Sequence, residues 1–140
     1  MTDDLLTAKN NIDGHTICLC KDGKCLFSEK KGIAPMMNFI GENVDLRGFS
    51  VADLVVGKAA AMLFVKCGIS GVFAKVISES GKAVLEKHGV PFEFEVLTEK
   101  IINRAGTDIC PMEKVVCDED DPETAYILLR ERLKALCGGK

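Results

Sequence analysis

The sequence predicts an α/β fold in which a mixed sheet carries helices on both faces. Three observations point there. Two short apolar runs, HTICLC and CLFS, flank Lys21-Asp22-Gly23-Lys24, and Asp-Gly supplies the positive φ that a tight hairpin turn needs. Residues 72–77 (VFAKVI) form a short run rich in β-branched residues, as expected of an internal parallel strand covered on both faces. Residues 122–137 place Ala125, Leu128, Leu129, Leu133 and Leu136 at amphipathic helical spacing. A hairpin followed by right-handed crossovers gives such a mixed sheet.

The elements follow in order. Residues 3–11 (DDLLTAKNN) form a short N-terminal helix or extension ending near Asp13-Gly14, and the hairpin comes next. The stretch from Glu29 to Gly48, with Gly32, Pro35 and Gly41, reads as loop around a short helix near residues 34–40. From Ser50 the pattern predicts one long helix. Ser50 serves as its N-cap, Asp53 sits in its first turn, VADLVVGKAAAMLFVKC continues it, and Gly68 stops it. Its only charges are Asp53, Lys58 and Lys66, so it is expected to be buried over most of its circumference. After the strand at 72–77, residues 79–88 read as a helix stopped by Gly89. Residues 92–97 (FEFEVL) alternate apolar and acidic, a half-exposed strand serving as a sheet edge or a dimer seam. A helix from Pro111 and the closing helix complete the chain, which is read as one domain over residues 1–140.

Composition narrows the function classes. The chain has 140 residues, 47% hydrophobic and 28% charged, a globular balance. A net charge of -3 with both signs dispersed argues against a dedicated nucleic-acid surface. Lys58 and Lys66 interrupt the longest apolar candidate, so no run approaches the roughly 20 residues of a membrane span. Met1-Thr-Asp-Asp-Leu-Leu carries acids where a secretory signal carries bases, and a cytoplasmic location is expected. The seven cysteines are odd in number and lie mostly in apolar segments, which favours reduced packing thiols.

Sites in open α/β sheets form beyond the carboxyl ends of parallel strands, where helix N-termini converge. Asp53 and Lys58 are candidate ligand contacts there. Five residues apart and about 140° round a helix, they cannot form an i,i+4 pair, and Asp53 as a capping carboxylate or Lys58 in a solvent stripe with Met62 and Lys66 are the alternatives. Lys75 in mid-strand must snorkel outward or find a partner, and Ser78 and Glu79 at the strand's end open a helix whose free N–H groups suit an anion. The segment 103–113 (NRAGTDICPME) is densest in functional side chains. Pro111 fits the first helical position, which puts Cys110 at a cap where the helix dipole favours a thiolate nucleophile. Arg104 suits a carboxylate or phosphate, Asn103 and Asp108 offer further contacts, and Glu113 suits general acid–base work. A capped helix behind a polar loop is the competing account of this segment. His15, Cys18, Cys20 and Cys25 contain no C-x-x-C spacing and read as core packing in preference to a zinc cluster. The acids Asp118 to Asp121 favour the dipole of a proline-led helix, and His88 reads as a helix cap.

GKAAA, AKVISE and IINR-x-G-T-x-x-CPME together resemble a small prokaryotic family of the cytidine-deaminase-like fold, over about residues 13 to 126. That resemblance implies a three-layer α/β/α sandwich with a mixed sheet of about five strands. Zinc deaminases of that superfamily place His-x-Glu or Cys-x-Glu at one helix start and Pro-Cys-x-x-Cys at the next. Here the first position would fall within residues 52–58 and the second within residues 78–82, and neither stretch holds His or Cys. No metal and no other cofactor are therefore expected. The leading expectation is a zinc-free pocket for a small anionic or nucleotide-like ligand, held by Asp53, Lys58, Ser78, Glu79, Asn103, Arg104 and Asp108. Catalysis there would fall to Cys110, Glu113 and Lys75. The alternatives are a non-catalytic ligand sensor or complex subunit, and a thiol-redox protein using Cys110. The expected partner is a small molecule, with no nucleic acid and no membrane, and a homo-oligomer is open.

Overall fold

The computed structural model describes residues 3–30, 32–101 and 111–136. The elements run α1 (Asp3–Asn11), β1 (Ile17–Lys21), β2 (Lys24–Ser28), α2 (Ala34–Gly41), β3 (Ser50–Val56), α3 (Lys58–Lys66), β4 (Gly71–Ser78), α4 (Glu79–Lys87), β5 (Phe92–Thr98), α5 (Pro111–Val116) and α6 (Pro122–Leu136). One five-stranded sheet has the order β2-β1-β3-β4-β5. β1 is antiparallel to β2 and β3, whereas β3, β4 and β5 run parallel. The hairpin turns on Asp22 and Gly23, both at positive φ (51° and 81°), as a two-residue primed turn requires.

The long helix expected from Ser50 is instead a strand and a helix. Residues 50–56 form β3, and Asp53 lies in mid-strand, not in a first helical turn. A strand buried on both faces shows no alternation, so its apolar run merges with that of the helix after it. Gly57 divides them, extended at φ -102°, ψ -171°. The thin Ala59-Ala60-Ala61 stretch then lets α3 lie close on the sheet.

Two apolar clusters lie on opposite faces of the sheet. Ile17, Leu19, Val51 and Val72 pack with Leu63 and Phe64 of α3, Leu85 of α4 and Leu129 of α6. On the other face α1 sets Leu5, Ala8 and Ile12 against Cys18, Cys20, Ala52 and Phe73. Such fully buried side chains stabilise by roughly 1.5–3 kcal/mol each. The closing helix buries Ala125 and Leu129, while Leu128 of the expected apolar face is exposed. Lys58 and Lys66 do not flank a solvent stripe either. Met62 between them is buried, and the Lys66 ammonium pairs with Glu123 of α6 at 2.9 Å. Among the described residues no helix is long and apolar enough to cross a membrane.

Candidate functional site

Of the described candidate residues, Asp53, Lys58 and Glu113 gather near the place where β3 gives way to α3. Gly57 is the N-cap of α3 and has no side chain to satisfy the exposed amides. Glu113, from the first turn of α5, supplies the acceptors. Its Oε1 accepts from the Lys58 amide at 2.7 Å and its Oε2 from the Ala59 amide at 2.8 Å. The Lys58 ammonium donates to the Cys117 carbonyl at 3.0 Å, tying the same helix start to the end of α5. A Cβ at residue 57 would collide with the Glu113 carboxylate, so glycine is required here by space and not by backbone conformation.

The next junction is built differently. The Ser78 hydroxyl caps its own helix, accepting from the Gly81 amide at 3.0 Å. A Cβ on Gly81 would stand 3.0 Å from the Gly57 carbonyl and from the Val56 oxygen. The two helix starts therefore abut, with glycine on both sides of the contact.

A cavity of about 350 Å³ opens beside this arrangement, lined by Thr16, Ile33, Asp53, Ala60, Met112 and Glu113. Its walls are mostly apolar, and the two carboxyls are the acidic groups on it. Asp53 is only 7% exposed, and burial pushes its carboxyl up to about 8, partly opposed by the Val55 and Leu54 amides. At neutral pH it is therefore largely protonated, able both to donate and to accept a hydrogen bond. Burial also raises the Glu113 carboxyl, while the Ala59 and Lys58 amides and the Lys58 charge pull it back. The Thr16 hydroxyl sits 3.0 Å from the Ser28 carbonyl and 2.5 Å from that of Lys30, so it is already engaged.

Of the residues expected at a site, the structure brings Asp53 and Glu113 to one hollow. Lys58 is next to it through its backbone. Lys75 does not join them. It is exposed on β4 and follows Ala74, the register partner of Asp53, so strand alternation turns it to the opposite face. Ser78 is buried as a helix cap, and Glu79 is exposed in the first turn of α4. Neither lines the cavity. Asn103, Arg104, Asp108 and Cys110 lie outside the described residues. The sequence reading does not single out Thr16 and Ile33, which carry no motif, or Met112, an apolar residue inside CPME. It places Gly57 in a helix interior, although a glycine inside an apolar run is a break signal.

The cysteines also depart from the expectation of reduced packing thiols. Cys20 and Cys25 form a disulfide across the hairpin, where the register places them directly opposite. Cys18 remains a free, buried thiol, Cys67 is half-buried with its pKa raised to about 11 chiefly by burial, and Cys117 is exposed.

A family model described as TM1506, a domain of unknown function (DUF1893), matches residues 7–133. The chain belongs to this family. A crystal structure of the DUF1893 protein TM1506 from Thermotoga maritima is similar to it with a TM-score of 0.84 at 26% sequence identity, covering 94% of this chain and 92% of that one. The α/β fold with its five-stranded mixed sheet is thus that of a solved DUF1893 protein. No protein with a curated description matches the chain.

Proposed function

We propose that this DUF1893 protein is a cytidine-deaminase-like protein that has dispensed with the catalytic zinc and binds a small, flat, nucleobase-like ring in the cavity beside α3. The deaminase likeness rests on the motifs GKAAA, AKVISE and IINR-x-G-T-x-x-CPME and on the two abutting helix starts. The donor set at those starts does not fit zinc. Gly57-Lys58 and Ser78-Glu79-Ser80-Gly81 offer neither thiolate nor imidazole, and the Glu113 carboxylate fills the space over Gly57.

The observation that carries the reading is the buried Asp53 carboxyl opening onto an apolar hollow of about 350 Å³. That volume suits a small ring, and a few placed polar groups in an apolar pocket fix a ligand's orientation. A protonated carboxyl pairs with an edge that offers an acceptor beside a donor, the pattern of a nucleobase. A phosphate is disfavoured inside the hollow, because the described lining offers two carboxyls and no Lys or Arg. The ring, and not an anionic group, is therefore assigned to the cavity.

Binding without turnover is the favoured form of this activity, that of a ligand sensor or a subunit. Both Glu113 oxygens are committed to α3 amides, and Lys75 is on another face. A thermal-shift panel of nucleobases and nucleosides tests the proposal. A ligand at about 100 times its dissociation constant adds roughly 2.7 kcal/mol. Stabilisation by a base or nucleoside that Asp53→Leu abolishes supports the reading. A panel in which nothing stabilises, or a stabilisation that survives Asp53→Leu, overturns it.

A further inference from the structure

We propose that the reduced hairpin holds a soft monovalent metal ion of the Cu(I) class between the sulfurs of Cys18, Cys20 and Cys25. These three sulfurs converge for a reason built into the sheet. Cys18 and Cys20 are two apart on β1 and share a face, while Cys25 of β2 is the register partner of Cys20. All three ligand atoms lie within 4.8 Å of one another, and the Cys18 and Cys20 sulfurs are 3.6 Å apart. Thiolates on one ion, at about 2.3 Å from it, stand roughly 4 Å from each other, so the Cys18–Cys20 spacing is near that of a ligand edge. The bonded Cys20 and Cys25 sulfurs must part on reduction.

The donor set selects the metal. Among the described residues the cluster offers three sulfurs and no fourth ligand, short of the tetrahedron that structural zinc requires, whereas thiolates favour Cu(I). His15 does not belong to this cluster of convergent ligand atoms; its Nδ1 is engaged with Glu29 at 3.1 Å and its ring packs on Phe27. Cys18 and Cys20 lie under α1 among the apolar Leu5, Ala8, Ile12 and Phe73. Cys25, the half-buried member, is the point of entry.

The oxidised and the metal-bound hairpin are alternatives. A dithiol reductant delivers two electrons and two protons to the Cys20–Cys25 bond, yielding two thiols and a cyclic disulfide of the reductant. Each thiol that then ligates the ion releases its proton to solvent, and the ion keeps its oxidation state.

The test uses the full chain with Cys67, Cys110, Cys117 and Cys137 replaced by Ser, reduced with dithiothreitol, desalted anaerobically and titrated with Cu(I) against the chromophoric chelator bicinchoninate. One Cu(I) per chain is expected to be drawn from the chelator, with sulfur-to-copper charge-transfer absorption in the ultraviolet. Adding Cys18→Ser is expected to weaken retention by more than about 100-fold, beyond the 10–100-fold cost typical of losing an outer partner. Cys25→Ser, at the less buried position, is expected to do the same, and it serves as the second variant should Cys18→Ser unfold the chain. No copper retained, retention unchanged in the folded variants, or a Cys20–Cys25 bond that resists dithiothreitol would each overturn the proposal.

Discussion

Two successive junctions of the parallel sheet solve one problem in opposite ways. At the β4–α4 junction the chain caps its own helix, with the Ser78 oxygen meeting the Gly81 amide three residues on. At the β3–α3 junction the cap is borrowed from Glu113, a residue more than fifty positions away. The local cap leaves a polar surface turn, with Glu79 and Ser80 exposed. The borrowed one draws a second carboxyl into the protein, next to Asp53, and the hollow forms between them. A junction that depends on a distant element is expected to cost more to disrupt than one that caps itself.

The comparison predicts effects of decreasing size. Asp53→Asn, in β3 beside the β3–α3 junction, is expected to stabilise the protein by as much as roughly 4 kcal/mol at pH 7, because the folded chain then no longer has to take up a proton that the unfolded chain has released. The native carboxyl holds its proton up to about pH 8. The unfolded chain releases it near pH ~4, so native stability falls as pH rises between those values. The gain from Asp53→Asn is therefore expected to vanish below about pH 4, which chemical denaturation across pH checks.

Gly57→Ala comes next. Its Cβ displaces Glu113 and exposes two amide donors, at an expected cost of about 3 kcal/mol in a urea melt. Glu113→Ala frees the same donors without the collision and is expected to cost about 2 kcal/mol, with Glu113→Gln less damaging because one acceptor oxygen remains. Ser78→Ala at the local cap is expected to cost only about 1 kcal/mol. Equal losses from Ser78→Ala and Glu113→Ala would erase the distinction between the two junctions.

The same contrast explains what was legible. Ser78 followed by Glu79 and a glycine-stopped helix carries all its signals within a dozen residues, and α4 falls where the pattern puts it. The hairpin is as local, since Asp22-Gly23 dictates its own turn. β3 was hidden because both of its faces are buried, leaving no alternation, and because the cap that separates it from α3 comes from α5. Asp53 stands out as a charge in an apolar segment and Glu113 as an acid in the segment densest in functional side chains, and both line the cavity. Lys75 stands out for the same reason as Asp53 and does not line it. The face β4 presents at that position lies beyond the cover of α1, so the side chain simply meets solvent. The disulfide required the register of β1 on β2, which places Cys20 on Cys25 and which cysteine count alone does not reveal.

The account stands on a carboxyl kept neutral inside an apolar hollow, and a carboxyl-detected carbon NMR titration of the aspartates reads it directly. One aspartate signal, absent in Asp53→Asn, is expected to titrate near pH 8 and to shift its midpoint when a base or nucleoside binds. If every aspartate ionises within the ordinary range near pH ~4, Asp53 is charged at neutral pH and the cavity has no neutral carboxyl to pair with a base.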